Sequence, residues 1–124
     1  MKFTSLAQDI VNERNIELIY KAPRSNKTKV RSVAIGSDHG GFKVKELLKS
    51  YLGDIGLNVR DFGTNSEDAV DYPDLAHAVA RSVAGRQVDI GIIIDGAGIG
   101  SAMTANKVPN VRAAACYSTA LAKN

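Results

Sequence analysis

The sequence predicts an α/β fold in which a parallel sheet lies between helices, a three-layer α/β/α, Rossmann-like arrangement of the flavodoxin-like type. Short apolar runs alternate along the chain with amphipathic segments, and turns rich in glycine and polar residues separate them. The 124 residues are enough for one compact domain with a core. Strands that are joined through helices in this way pair in parallel through right-handed crossovers.

The first strand and helix are predicted just after a basic segment. Residues 33–36 form a short apolar run, which predicts a strand. Residues 42–52 carry apolar side chains near helical spacing, which predicts a helix, and residues 57–62 are typical of a second strand.

The second half repeats the same alternation. Residues 72–84 are predicted to form a helix because Pro73 lies in its first turn and Gly85 lies just past its end. An apolar strand after Asp89 then leads through a glycine turn into a further helix, and residues 111–116 predict a fourth strand.

The chain divides into an N-terminal extension, residues 1–31, and an α/β domain, residues 32–124. A helix is predicted in the extension, capped by Thr4 or Ser5, because apolar residues recur at helical spacing. These are Phe3, Leu6, Ala7, Ile10 and Val11. A short strand at residues 16–20 and a basic linker with five positive charges between Lys21 and Arg31 follow.

Two interpretations of the extension stay open. In the first, the helix and strand complete the sheet, with residues 16–20 pairing beside residues 111–116 and covering an exposed edge. In the second, residues 1–20 bind a protein partner, by docking in a groove or by targeting an assembly such as a protein shell.

Composition limits the partners. The net charge is +3, and the basic linker has no interleaved aromatic residues, so we expect no nucleic-acid partner. No apolar run approaches the roughly 20 residues that cross a bilayer, so no membrane partner is expected. Cys116 is the single cysteine, which excludes an intrachain disulfide and fits a cytoplasmic location. The two histidines and one cysteine lack ligand spacing, so no metal is expected.

The segment DIGIIIDGAGIGSAMTAN predicts a ligand site. Glycines at positions 96, 98 and 100 allow a tight turn that brings several N–H groups near one anion, and the helix that follows adds its positive dipole end. The spacing departs from the dinucleotide-binding pattern, which favours a small anionic ligand. A similar turn, GSDHGG at residues 36–41, follows the first strand, and we expect the two turns to face each other across one crevice.

Three segments, IGSDHGGFKVKELLKSYL, DFGTNSEDAVDYPDLAHAVA and GIIIDGAGIGSAMTANKVPNVRAA, resemble the sugar-phosphate isomerases of the ribose-5-phosphate isomerase B and galactose-6-phosphate isomerase family. The resemblance covers residues 33–116. It implies aldose–ketose isomerisation of a pentose or hexose phosphate through an enediolate, with no cofactor, in a homodimer. It assigns Asp38 and His39 to sugar and phosphate contacts and Tyr72 to the pocket lining. The turn that stabilises the oxyanion corresponds to Gly96, Ala97, Gly98 and Gly100.

Asp95 is the candidate catalytic base. The resemblance places a cysteine base at this position in many members and a glutamate base at the position of Ser101 in others. Asp95 serves as the base if its environment raises its pKa; alternatively, it caps the helix or accepts hydrogen bonds from the turn. Both interpretations stay open.

The resemblance also implies later elements with a histidine and basic phosphate-binding residues, and we expect these to be absent because this chain ends at Asn124. Two function classes remain. The chain is an aldose–ketose isomerase with Asp95 as base, or it is a catalytically inactive member of the family that binds or assembles, with its N-terminal helix as a docking peptide.

Overall fold

The computed structural model describes residues 4–15, 17 and 29–123. The predicted strand at residues 16–20, except Glu17, and residues 21–28 of the basic linker lie outside the described residues. The helices and strands, in chain order, are α1 (Ser5–Glu13), β1 (Ser32–Ser37), α2 (Phe42–Asp54), β2 (Asn58–Asp61), α3 (Tyr72–Ala84), β3 (Ile90–Ile94), α4 (Ile99–Asn106) and α5 (Thr119–Lys123).

The sheet has β1 at its centre. β2 and β3 flank it in the order β2-β1-β3, and both run parallel to β1. In the register of the sheet, Val33 lies between Val59 of β2 and Ile90 of β3. This order confirms the predicted α/β fold and places the point where the winding reverses between the first and third strands.

The two faces of β1 pack against different helices. Val33 and Ile35 are buried with Leu52 of α2, whereas Ala34 is buried on the opposite face with Val79 of α3. Successive side chains of a strand point to opposite faces, so one strand supplies both halves of the core. A third cluster joins α3 to α4 and consists of Ala80, Ala105 and Val108.

Local signals set the helix boundaries. Thr4 caps α1 and accepts a hydrogen bond from the Ala7 N–H at 3.3 Å, which confirms the predicted helix. α3 spans the residues expected for it, with Pro73 in its first turn and Gly85 as its C-cap.

A buried lysine ties α2 to β2. The side chain of Lys45 is fully buried, and its Nζ donates hydrogen bonds to Asp61 at 2.6 Å and to Glu46 at 2.8 Å. Partial burial works against ionisation of Asp61, but hydrogen bonds from Lys45 and Lys49 hold the pKa of its carboxyl below the ordinary value. A buried ammonium needs such partners, because losing one would leave an uncompensated charge in the core.

Residues 111–116 do not form the predicted fourth strand. Val111 and Ala113 pack against the cluster between α3 and α4, and burial alternates along the segment as it does in a strand. However, the Ala113 N–H donates to Asn106 Oδ1 at 3.0 Å, and the Ala113 carbonyl accepts from Asn106 Nδ2 at 2.8 Å. The side chain of Asn106 therefore satisfies both backbone groups of Ala113, and residues 111–116 are not paired with β3.

α5 is an element that the sequence did not predict. It has five residues and begins after Ser118, whose hydroxyl accepts a hydrogen bond from the Leu121 N–H at 3.3 Å. A helix of this length offers too little periodicity to be recognised from sequence. Within the described ranges, no helix combines the length and the apolar character needed to cross a membrane.

Candidate active site

The turns after β1 and β3 meet at the carboxyl end of the sheet, as predicted. The Asp38 N–H donates to the Ile94 carbonyl at 3.1 Å, which joins the end of β1 to the end of β3. The Asp38 carboxylate accepts from the Gly41 N–H at 2.8 Å and from the Gly96 N–H at 3.4 Å. One side chain thus contacts both turns and fixes the width of the crevice between them.

The glycine turn after β3 begins α4. Gly98 is the N-cap of α4 and has a positive φ of 73°, a conformation that glycine adopts without strain. Gly100 lies against the ring of Tyr72, so that a Cβ at position 100 would approach Tyr72 Cζ to 2.7 Å and overlap the hydroxyl. Tyr72, the first residue of α3, is therefore held against the turn.

Asp95 lies at the end of β3 and contacts the turn that follows it. Its Oδ2 accepts a hydrogen bond from Ser101 Oγ at 2.7 Å, and its Oδ1 accepts from the Ala97 N–H at 3.3 Å. Ser101 is buried in the first turn of α4. The hydrogen bond thus joins the two positions at which the resemblance expects a base.

The electrostatics of Asp95 favour the anionic form. The hydrogen bond from Ser101 lowers the pKa of the Asp95 carboxyl below its ordinary value. Partial burial opposes this, and the backbone N–H groups of Ala97, Gly98 and Ser101 add to the lowering of the pKa. The pKa of Asp95 is therefore not raised, although a raised pKa was the expectation for a base at this position. Asp95 instead accepts hydrogen bonds from the turn, which is the other interpretation.

His39 lies at the rim of the crevice. It is exposed in the turn after β1, and its backbone carbonyl accepts a hydrogen bond from the Phe42 N–H at 3.4 Å, at the start of α2. Its position leaves the imidazole accessible to a ligand that enters from solvent.

A cavity of about 730 Å³ opens beside the glycine turn. Asp95, Gly96, Ala97, Gly98 and Ser101 line one end, and the remainder runs along β3 toward residues 111–117. The volume is in the range of small-molecule sites. Most of its length is the gap beside β3 where the fourth strand was expected, so only the end at Asp95 belongs to the crevice.

The arrangement of these turns is matched in known proteins. A family described as Ribose/Galactose Isomerase matches residues 33–124, which is most of the chain. The chain belongs to the ribose/galactose isomerase family. This confirms the family to which the sequence motifs pointed.

Several family members are similar over much of this chain. Ribose-5-phosphate isomerase B of Escherichia coli is 41% identical over 97 residues, covering 76% of this chain and 65% of the relative. D-erythrulose-4-phosphate isomerase of Pectobacterium atrosepticum is 37% identical over 90 residues, covering 71% of this chain and 59% of the relative. The structure of ribose-5-phosphate isomerase B from Clostridium thermocellum superimposes with a TM-score of 0.72 at 44% identity, covering 73% of this chain and 62% of that one. The chain thus spans about two thirds of the length of these relatives, or slightly less.

The sequence predicted the crevice in this family member, but it did not predict two contacts that the structure shows there. The first is the hydrogen bond from Ser101 to Asp95, for which a hydroxyl six residues after an acidic residue, in the first turn of a helix, is a usable signal. The second is the Asp38 carboxylate bridging both turns, which requires knowing how closely the ends of β1 and β3 approach.

Proposed function

We propose that this chain interconverts the aldose and ketose forms of a phosphorylated sugar in the crevice between the ends of β1 and β3. The observation that carries the proposal is the convergence of two carboxylates and the N–H groups of one glycine turn at this point. Membership of the isomerase family and the sugar-phosphate isomerase activities for which the relatives are named support it. Those relatives act on phosphates of short sugars, which is the substrate class we propose here.

The reaction needs a base that moves a proton between adjacent carbons and donors for the oxyanion of the enediolate. We assign the base to Asp95, since it is ionised at neutral pH and lies beside the turn. We assign the oxyanion donors to the backbone N–H groups of the turn from Gly96 to Gly100.

These two assignments are coupled. In the absence of a ligand, the amides of Ala97 and Gly98 contribute to the lowered pKa of Asp95. When a substrate oxygen accepts hydrogen bonds from these amides, Asp95 loses these donors but keeps the hydrogen bond from Ser101, which is the largest cause of its lowered pKa. Binding of the substrate therefore offsets only part of the lowering of the Asp95 pKa, in the direction that favours proton transfer to the carboxylate.

The remaining side chains are assigned to binding. Asp38 keeps the two turns together and presents its carboxylate to a sugar hydroxyl. His39 at the rim contacts the sugar phosphate from the solvent side. Tyr72 closes the wall beside Gly100, where its hydroxyl meets the turn.

A homodimer is part of this proposal. Apolar side chains remain exposed on α4 and after it, with Ile99 59%, Met103 65% and Tyr117 65% accessible. They lie around a groove that also includes Ala102 and Ala115. An exposed apolar patch of this kind marks an interaction site. Sedimentation of the full chain, with a Met103→Lys variant that introduces a charge into the patch, tests it: the variant should sediment as the smaller species.

Two further predictions stand beside the proposal. A cytoplasmic location follows from the use of a single cysteine. A protein partner for residues 1–20 is the alternative to their packing within the chain.

The test is an isomerisation assay on a panel of phosphates of four-, five- and six-carbon sugars. The parent should turn over at least one of them, and Asp95→Asn should lower kcat by about 100-fold or more, the usual contribution of a general base. Asp54→Asn, which changes an exposed carboxylate at the end of α2, is the matched control and should leave kcat unchanged. If the parent turns over none of these sugars, the proposal fails and the binding or assembly role is favoured.

A further inference from the structure

An apolar stripe on the outer face of α2 is exposed to solvent. It consists of Val44, Leu47, Tyr51 and Ile55, which are 55%, 74%, 59% and 54% exposed. The first three are in α2, and Ile55 is its C-cap. Their spacing places them on one side of the helix, next to the side that packs on the sheet. The sheet-facing side is already used by Leu48 and Leu52, so the stripe is a second apolar surface on the same helix.

A second exposed apolar face belongs to α1. Leu6 and Ile10 are 68% and 43% exposed, and none of the residues of this helix is buried. Together with Ala7 and Val11 they occupy one side of the helix. A nine-residue helix is marginal in water on its own, so α1 needs a surface to pack against.

The two faces match in size. α1 is about 14 Å long, and the stripe extends over about 17 Å from Val44 to Ile55, at 1.5 Å per residue. Two helices that each present one apolar side can pack these sides together and remove both from water.

The chain enters the α/β domain at the end of the stripe. The Arg31 carbonyl accepts a hydrogen bond from the Asn58 N–H at 2.9 Å, three residues beyond Ile55. Val30 packs into the same cluster as Leu52, on the α2 side of the sheet. The segment that leads from α1 therefore arrives on the face of the sheet that carries α2, at the Ile55 end of the stripe.

The connecting chain is long enough to allow the contact. Fifteen residues, 14–28, separate α1 from the start of the described domain at Lys29, a contour of about 50 Å at most. This exceeds the length of α2, about 20 Å. Tethering makes the encounter intramolecular, and a second copy competes only at protein concentrations near the effective concentration, on the order of mM for short linkers.

We propose that α1 docks on the outer stripe of α2 in the same chain, with Leu6 and Ile10 against Leu47 and Tyr51. The contact is an internal docking surface that does not involve the crevice, so it holds whether or not the isomerase proposal holds. It is also distinct from completion of the sheet by residues 16–20.

Amide hydrogen exchange on the full chain, read by mass spectrometry, tests the proposal. The amides of α1 should exchange at least tenfold more slowly in the parent than in Leu47→Glu, which places a charge in the middle of the stripe. Because Leu47 is 74% exposed, this variant should keep the fold of the domain, and thermal unfolding checks that. Gly53→Glu is the matched control: it adds the same charge to an exposed position on the opposite side of α2, where an added Cβ meets open space, and should leave α1 protected.

Three results would overturn the proposal. In the first, α1 exchanges at the rate of an unstructured peptide in the parent. In the second, the protection of α1 is the same in Leu47→Glu as in Gly53→Glu. In the third, protection in the parent falls when the protein is diluted about a hundredfold into the micromolar range, which would assign the docked helix to a second copy. Protection that is independent of concentration and lost only in Leu47→Glu supports docking within one chain.

Discussion

Replacing Ser101 with alanine tests the hydrogen bond that contributes most to the lowered pKa of Asp95. The bond is 2.7 Å long, its donor is buried, and its acceptor is a carboxylate. Hydrogen bonds to charged groups contribute about 1.5–3 kcal/mol, and partial exposure of Asp95 reduces this to about 1–2 kcal/mol. With an unfolding entropy of about 0.26 kcal/mol/K for a chain of this length, Ser101→Ala should lower Tm by about 4–8 °C at neutral pH.

The loss should depend on pH in one direction. Because the pKa of Asp95 is lower in the folded chain than in the unfolded one, its contribution to stability is complete above the unfolded pKa of about 3.9 and disappears as the pH falls through the folded pKa. Urea unfolding at neutral pH and at about pH 3 should therefore show a large effect of Ser101→Ala at neutral pH and a small one in acid.

Ser37→Ala is the matched control for this prediction. Ser37 is likewise a buried serine, at the carboxyl end of β1, but its hydroxyl has no hydrogen-bond partner among the described residues. Its removal should leave stability unchanged or raise it, since a buried unpaired hydroxyl is unfavourable. Equal losses for the two alanine variants, or a loss for Ser101→Ala that is the same at both pH values, would refute the assignment of the hydrogen bond.

Three other substitutions test the packing around the site. Gly100→Ala places a Cβ against the ring of Tyr72 and should lower the free energy of unfolding by about 1–3 kcal/mol. Gly53→Ala has open space around it and should raise the free energy of unfolding slightly. Urea unfolding compares the two variants. Asn106→Ala removes both bonds to the backbone of residue 113, so amides of residues 111–116 should exchange faster while those of β1 do not. Asp61→Asn removes a partner of the buried Lys45 ammonium and should lower the free energy of unfolding by about 3 kcal/mol at neutral pH. Glu67→Gln breaks an exposed ion pair and should lower it by less than about 1 kcal/mol. A loss for Asp61→Asn no larger than that for Glu67→Gln would contradict the role given to the buried pair.

The sequence was sufficient to predict those helix boundaries that depend on local signals. α3 begins at a turn containing Pro73 and ends before Gly85, and both signals act through the backbone of the helix itself. The same holds for Thr4 at the start of α1. The position of β1 between β2 and β3 is that of the flavodoxin-like strand order, the fold type that the sequence predicted.

Residues 111–116 show where the sequence was insufficient. They were predicted to form a strand, and the burial that the structure gives them does alternate as in a strand. Whether such a segment pairs with a sheet depends on which partners form hydrogen bonds with its backbone N–H and C=O groups. Here Asn106 meets those of Ala113 from a neighbouring helix, and nothing in the local pattern signals that contact.

For the candidate site, the sequence predicted the location of the crevice but not the direction of the pKa shift of Asp95. The meeting of the turns after β1 and β3 follows from topology, because the carboxyl ends of parallel strands lie at one edge. The direction of the pKa shift of Asp95 depends on the rotamer of Ser101 and on the orientation of three amides, which are properties of the folded turn.

The position of residues 111–116 also bears on how this chain behaves at high concentration. Among the described residues, β3 pairs with β1 alone, so its other edge presents a row of backbone donors and acceptors beside an apolar cavity. A free edge is where a sheet grows, and isoleucine-rich strands such as Ile90–Ile94 are those that grow most readily into aggregates. The same edge would accept an added strand of this or another chain, which makes it a natural point at which to graft a peptide and extend the sheet by design.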